Sequence, residues 1–434
     1  MKTLSELLRE LHELPEGNIY VKHINGRDYY YHQYFDHGKR FTKIIKQEEL
    51  ESLKTGIKRR QIVEKEIRKI KSQQKSISIS KSAQSLTGTI MSENKPVAIF
   101  EQGNLVWMDE DLAPLVIKRT HFIEEFLKLR TMDMSRTNAR ILKRVLNIHV
   151  DEDYKTSLYS YALSVSDHYW FKPKHSKLKF RDITFKDSSY FETALKGDTT
   201  AAVFVNQLTP EITTTGSFEK GWKYIDGTWW LYKSGSKNQI FAELFCYHFA
   251  KLIGLDTAVY EYDDGYIRSQ NFATQYNFEP LAALLGDDDS YESVYQYLYK
   301  INPDIAKQYL FLVSFDAVTY NVDRHNENVG LFRDRKTGAI VSLAPNFDNN
   351  LALYTVDEIH LSEPKSDGLI KNFLSFLKNN EQAKKQFLEI KFVGLNEKQI
   401  QQILDQIPIK LPDEDEFVKS IITRFNYLKT YFNN

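Results

Sequence analysis

The sequence predicts an α+β chain of two lobes, a small antiparallel-sheet lobe and then a mainly helical lobe, with an added N-terminal α/β module. Three observations predict it. Between residues 199 and 278, Asp226-Gly227 and Asp264-Gly265 each separate aromatic-rich, strand-like runs, the signature of hairpins. From 279 to 434 helical patterns dominate, broken by one hairpin candidate, GLFRDRKTGAIVSLAPNFD. Residues 1–90 differ in charge: 18 Lys and Arg stand against 11 Asp and Glu, while the whole chain balances 58 against 58. That asymmetry points to a basic module with a partner of its own.

Composition narrows the classes. A length of 434 residues exceeds one typical core and implies two to four domains. With 26 Tyr and 27 Phe, the core is bulky rather than aliphatic. The single cysteine, Cys246, excludes an intramolecular disulfide and a Cys-rich zinc site, and fits a reducing, cytoplasmic setting. Met1 to Arg9 alternates charge and Leu, unlike a signal peptide. No apolar run approaches the roughly 20 residues needed to cross a bilayer, so no membrane partner is expected.

Taken in order, residues 3–14 read as a short amphipathic helix with Leu4, Leu7, Leu8 and Leu11 on one face, stopped by Pro15 and Gly17. Asn25-Gly26 marks a hairpin between IYVKHI and RDYYYHQYFD. Residues 47–71 form a long charged helix with Leu50, Leu53, Ile57, Val63, Ile67 and Ile70 as its stripe. Residues 1–71 are thus a basic helix/hairpin/helix module. Residues 72–89, rich in Ser, Gln and Lys, are a linker. Residues 90–198 hold a hairpin, KPVAIFEQGNLVWM, and two helices, HFIEEFLKLR and TNARILKRVLNI, the second capped by Ser135 or Thr137. From 199, AAVFV is a strand and TPEITTTGSFEKGWK a turn-rich loop. WKYIDGTWWLYK and AVYEYDDGYIRSQNF are hairpins, and NQIFAELFCYHFAKLIG is a helix across their sheet, ended by Gly254.

The segment YNVDRHNENVGLF, Tyr320 to Phe332, carries Asp323 and, five positions on, Asn328; Asp348 follows in NFDN at the far end of a hairpin. Neighbouring strands then carry an Asn and an Asp to one end of a β-ribbon, where their oxygens share a hard cation. Mg²⁺ takes one or two carboxylates plus phosphate oxygens. Asp323, in the loop before, reaches the hydroxyl that attacks the γ-phosphate of ATP. Kinase catalytic loops have the same Asp-x-x-x-x-Asn spacing followed by a metal-binding Asp. The bland alternative is a structural cluster of Asx turns.

Lys233 ends the strand TWWLYK, and Glu243 lies ten residues on in the following helix. A strand lysine that touches the α- and β-phosphates needs such an anion to hold its ammonium. Lys223 and Lys237 compete for the role. The loop TTTGSFEK, Thr213 to Lys220, lies where a phosphate-covering loop belongs, with Thr215, Gly216 and Ser217 as its nucleotide contacts through backbone N–H groups and hydroxyls. Self-phosphorylation there would add about −1.5 to −2 charges beside the nucleotide and disfavour ATP.

From about residue 199 to 355 this order of motifs resembles that of the HipA-like serine/threonine kinases of bacterial toxins and their relatives, which look distantly like phosphoinositide kinases. The matching stretches are the Thr/Ser-Gly loop at 213–217, LYK at 231–233, the helix with Glu243, VDRHNEN at 322–328 and NFDN at 346–349. The resemblance implies a bilobal protein-kinase-like fold, with 90–198 as a HipA-like N-terminal subdomain, 199–278 as the small lobe and 279–434 as the helical lobe. It implies Asp323 as the catalytic Asp, Asn328 and Asp348 as Mg²⁺ ligands and Lys233 as the ATP lysine. The implied activity is ATP-dependent transfer to a protein hydroxyl, in a toxin–antitoxin or phage-defence system with an antitoxin-like inhibitor. The chain departs from the pattern in three places. Asp348 is followed by Asn349 rather than Phe-Gly, the first 90 residues are unlike a HipA N-terminus, and Ser217, Thr215 and Thr214 all stand where one phosphorylatable serine is expected.

Two other functions fit the same residues. One is a small-molecule or lipid kinase, against which the net acidity beyond residue 90 counts. The other is a nucleotide-sensing pseudokinase with a nucleic-acid- or partner-binding N-terminus at 1–71, against which the intact Asp323, Asn328, Asp348 and Lys233 set counts. Tyr29, Tyr30, Tyr31 and Tyr34 with Arg27, Lys39 and Arg40 read either as a nucleic-acid face or as a packed hairpin face. His325 is a loop-former or a ligand, and Cys246 a core residue.

Overall fold

The computed structural model describes residues 7, 10, 11, 13–24, 26–36, 39–74, 86–101, 103–200, 208–355, 358, 359 and 361–432. The strand expected at AAVFV, Leu4 and Leu8 of the first helix, Asn25 and most of the expected linker lie outside the described residues.

Asn18–Ile24, Arg27–Asp36 and Lys39–Ile44 form an antiparallel sheet in that order. Ile24 faces Arg27, so two residues make the turn, and Gly26 takes the positive φ of 77° that such turns require. The helix Gln47–Gln74 follows and buries Val63 and Ile67 against Leu7 and Leu11. It runs three residues into the expected linker, because Ser72, Gln73 and Gln74 include no helix breaker.

A second antiparallel sheet orders Asn104–Trp107, Lys95–Glu101, Gly88–Ser92 and Tyr169–Pro173. Helices Leu115–Thr120, Ile123–Lys128 and Thr137–Val145 are inserted before its last strand. The last helix is not capped by Ser135 or Thr137. Arg136 holds the cap position without a side-chain cap, because a guanidinium has no acceptor for the first N–H groups; it donates to a distant loop instead.

The third sheet orders Tyr260–Asp263, Tyr266–Gln270, Thr228–Lys233 and Lys220–Ile225, all antiparallel. Its two hairpins turn at Asp226-Gly227 and Asp264-Gly265 with positive φ at all four residues, as a twisted hairpin favours. The helix Lys237–Ile253 crosses it, opened by a Ser236–Gln239 capping box and closed by Gly254 at φ 82°. On this helix, Phe241 and Phe245 meet Phe417 edge-on, while Phe249 stacks on Phe315 and meets Phe425. The three partners lie on Pro303–Thr319 and Glu414–Thr430, so one core joins the sheet to the helical region. Cys246 is fully buried in that core.

Tyr276–Pro280 straddles the expected lobe boundary at 278 and pairs with Gly330–Asp334, which pairs with Ile340–Leu343. Arg333 on the central strand is buried. It is ion-paired to Glu279 and donates to the carbonyls of Asp111 and Ala113, which fastens the second-sheet region to this ribbon. Among the described residues, no helix is long and apolar enough to cross a membrane.

Candidate active site

A cleft of about 390 Å³ is lined by the third sheet on one side and the Asp323 and Asp348 loops on the other. Thr215, Gly216, Ser217, Lys233, Asp323, Asn328 and Asp348 all line it. Glu243 lies behind Lys233 and is fully buried.

Lys233 Nζ donates to Asp348 Oδ1 at 2.6 Å and to Glu243 Oε1 at 3.3 Å. Burial opposes its charge, but the two carboxylates outweigh burial and hold its pKa above the ordinary lysine value. Burial also opposes the charge of Asp348, yet Lys233 and Lys220 prevail and hold its carboxyl at about 2. Glu243 is pushed up by burial, against the pull of Lys233. Asp348 has a left-handed φ of 58°, and its N–H donates to the Tyr260 hydroxyl at 2.9 Å. Asn349 is buried, and its N–H donates to Glu243 Oε2 at 2.9 Å. The residue after Asp348 thus locks the loop to the helix that carries Glu243. A parallel bridge between Thr257 and Asn346 holds the same loop from the small-sheet side. The competing lysines lie elsewhere: Lys223 covers the rings of Phe191 and Tyr232, and Lys237 is exposed at the start of its helix.

Asp323 is half-buried, and burial raises its pKa above the ordinary carboxylate value. Asn328 Nδ2 donates to its carbonyl at 3.0 Å and its carboxylate at 3.4 Å. Arg324 braces the loop from behind. It grips both oxygens of buried Asp316 at 2.9 Å and donates to the carbonyls of Asn328 and Phe347 and the side chains of Asn346 and Asn349. One guanidinium therefore fixes the Asp323 loop and the Asp348 loop together. His325 lines the cleft beside them.

The Thr/Ser-Gly loop is held by Arg136, which donates to the carbonyls of Thr214, Thr215 and Gly216 at 2.5–2.6 Å. Burial pulls the Arg136 guanidinium down to about 10. The Thr214 hydroxyl donates to Pro210 and accepts from Trp222 Nε1. Thr215 and Ser217 hydroxyls make no hydrogen bond among the described residues. Glu211, below the loop, accepts the Trp222 N–H, and burial pushes its carboxyl up to about 8. Lys220 is buried under Gly216 and lines the cleft. Burial, with Arg136 and Lys233 adding their charge, pulls its ammonium down to about 7.

Sequence reasoning missed Lys220, Arg136, Tyr260 and the bracing role of Arg324. Only Lys220 carried a usable signal. A two-residue turn at 226–227 sets Lys220 opposite Lys233.

Among the described residues, no group of three or more His, Cys, Asp or Glu side chains is placed to hold a metal. The donors near Asp323 suit a cation shared with a phosphate ligand. Asn328 commits its Nδ2 to Asp323, leaving Oδ1 without a hydrogen bond among the described residues, and Asp348 is ionised.

No protein-family model matches the chain, and no curated protein matches its sequence. Solved structures similar to it include two kinase-related ones. A HipA chain in a Shewanella oneidensis toxin–antitoxin complex of HipA, HipB and operator DNA aligns with a TM-score of 0.53 at 13% identity, covering 80% of this chain and 97% of that one. The Helicobacter pylori proinflammatory kinase CtkA aligns with a TM-score of 0.34 at 18% identity, covering 49% of this chain and 90% of that one. The first likeness is one of fold: an α+β chain with separate sheet and helical regions that resembles a bilobal kinase-like architecture, at remote identity.

Proposed function

We propose that this chain is an ATP- and Mg²⁺-dependent protein serine/threonine kinase of HipA-like type, acting on the hydroxyl of a protein substrate. The observation that carries the reading is the contact of Lys233 with both Glu243 and Asp348, in a cleft also lined by the paired Asp323 and Asn328. Strand, helix and two loops supply these groups, and an Asx-turn cluster would not need the lysine.

In this reading Lys233, held by Glu243, binds the α- and β-phosphates of ATP, and Lys220 offers a second cation to the phosphate chain. Asp323 orients the attacking hydroxyl and takes its proton at the carboxylate; its raised pKa suits a general base. Asn328 Oδ1 and Asp348 would hold the Mg²⁺ ion that accompanies the nucleotide. When bound, the ion neutralises charge on the β- and γ-phosphates. Lys233 must release Asp348 as the nucleotide enters. Gly216 and the hydroxyls of Thr215 and Ser217 cover the phosphates, with Arg136 fixing the loop. Those two hydroxyls, free where Thr214 is tied, are the sites of self-phosphorylation. The fold shared with HipA supports an antitoxin-like inhibitor and a role in a toxin–antitoxin or defence system.

Purified protein with labelled ATP and Mg²⁺ tests the reading. Label is expected on the protein itself or on an added protein fraction. If Asp323→Ala transfers label as well as the wild type does, the assignment is wrong.

A further inference from the structure

The N-terminal sheet has two unequal faces. Side chains alternate along each strand, and the pairing of Tyr20 with Tyr31 and of Lys22 with Tyr29 puts these four on one face. Arg27 and Arg40 belong to the same alternation. Asp28 belongs to the other. On that other face Lys54 of the helix Gln47–Gln74 lies over the Tyr30 ring, 5.4 Å from its centroid, while Val21, His23, Phe41 and Lys43 are exposed. On the first face Lys22, Arg27, Tyr29 and Arg40 are exposed.

Tyr20 and Tyr31 stack there with centroids 5.4 Å apart and planes 14° from parallel. The Lys22 ammonium lies 5.2 Å from the Tyr31 centroid. The face is therefore a ring platform bordered by cations, with no carboxylate among the described strand side chains on it. Planar bases on a phosphodiester chain match it, with phosphates meeting the cations and bases meeting the rings. An acidic peptide would satisfy the cations and leave the platform without a planar partner.

We infer that this face binds nucleic acid, with Lys22, Arg27 and Arg40 taking phosphates and Tyr29 and Tyr31 taking bases. The surface is separate from the cleft, and the inference stands whether or not the chain is a kinase.

The test is fluorescence anisotropy of the full chain with a labelled strand of about 16 nucleotides, as single-stranded DNA, single-stranded RNA and duplex DNA. The expected result is binding of at least one form that weakens as salt rises. Three phosphate contacts give a log–log slope of about −2 on a single strand and about −3 on a duplex. Excess ATP does not displace the strand. Replacing Lys22, Arg27 and Arg40 together by Ala lowers affinity about tenfold or more and flattens the slope, while circular dichroism and thermal unfolding stay as in the wild type. Tyr29→Ala, an exposed change, weakens binding and leaves the slope unchanged. The inference is overturned if no form binds at low salt, if the triple variant keeps wild-type affinity and slope, or if polyglutamate binds equally well.

Discussion

Lys220 and Lys233 stand directly opposite each other across the hairpin, yet among the described residues only Lys233 has carboxylate partners. Their acidities diverge for that reason. Burial acts on both. Asp348 and Glu243 overcome it at Lys233, while Lys220, which has no ion pair among the described residues, falls to about 7. A buried lysine beside two other cations needs an anion, and the cleft it lines is where one can enter.

The first prediction concerns that anion. Lys220→Met lowers ATP affinity about tenfold, the size of one charge-assisted contact of roughly 1.5 kcal/mol. It also changes a pH dependence whose sign is fixed. Without ligand, the folded state holds fewer protons than the unfolded state between about 7 and 10.5, so stability rises with pH across that window. The methionine variant loses this rise. A bound phosphate restores the Lys220 charge, so wild-type binding takes up a proton and weakens as pH climbs above about 7. Calorimetry in buffers of different ionisation enthalpy reads the uptake directly. Equal uptake in Lys220→Met refutes the assignment.

The second prediction separates binding from chemistry. Asp323→Asn keeps the shape of the loop and its bond from Asn328, but removes the group that accepts the proton. Label transfer is expected to fall at least about a hundredfold, with ATP affinity within about threefold of wild type. In the wild type, the acid limb of the rate profile lies above the ordinary Asp range, because burial raises the Asp323 pKa. A variant that loses affinity and rate together would point to collapse of the loop instead.

These residues differ in how legible they were. Asp323, Asn328 and Asp348 were readable because their spacing is local and the hairpin between them has strong turn and strand signals. The Lys233–Glu243 pair was readable because strand and helix are consecutive. The hairpins at 226–227 and 264–265 followed from turn chemistry alone. Arg136 was not readable: it meets the loop across 78–80 residues, and nothing in its own helix marks it, since the sequence there suggests a cap instead. Tyr260 acts through the backbone N–H of Asp348, which carries no residue-type signal, and Arg324 reaches Asn346, Phe347 and Asn349 across 22–25 residues of chain. The pairing of Tyr276–Pro280 with Gly330–Asp334 is likewise a long-range contact that local pattern does not encode.

The third prediction follows from Arg136. Arg136→Gln removes a guanidinium that holds three loop carbonyls and leaves a smaller neutral amide. The loop then opens on average. The KM for ATP is expected to rise about tenfold with kcat changed less, and proteolytic cleavage within residues 213–219 accelerates. Nucleotide should slow that cleavage in the wild type more than in the variant. If cleavage and KM both stay at wild-type values, Arg136 is a packing residue only.

The fourth prediction concerns Arg324, whose guanidinium makes six hydrogen bonds with Asp316 as its ion partner. Arg324→Ala leaves the buried Asp316 carboxylate uncompensated and is expected to cost about 3–5 kcal/mol in urea unfolding. Arg324→Lys recovers little, because an ammonium cannot fork to carboxylate, carbonyl and amide oxygens at once. Arg324→Met combined with Asp316→Leu removes both charges, so its stability returns toward the wild type. Label transfer does not return, because Asn328, Phe347, Asn346 and Asn349 have still lost the group that fixes them. Stability and activity therefore part company in the double variant. Recovery of both would mean that Arg324 serves charge balance alone, and that the two loops hold their places without it.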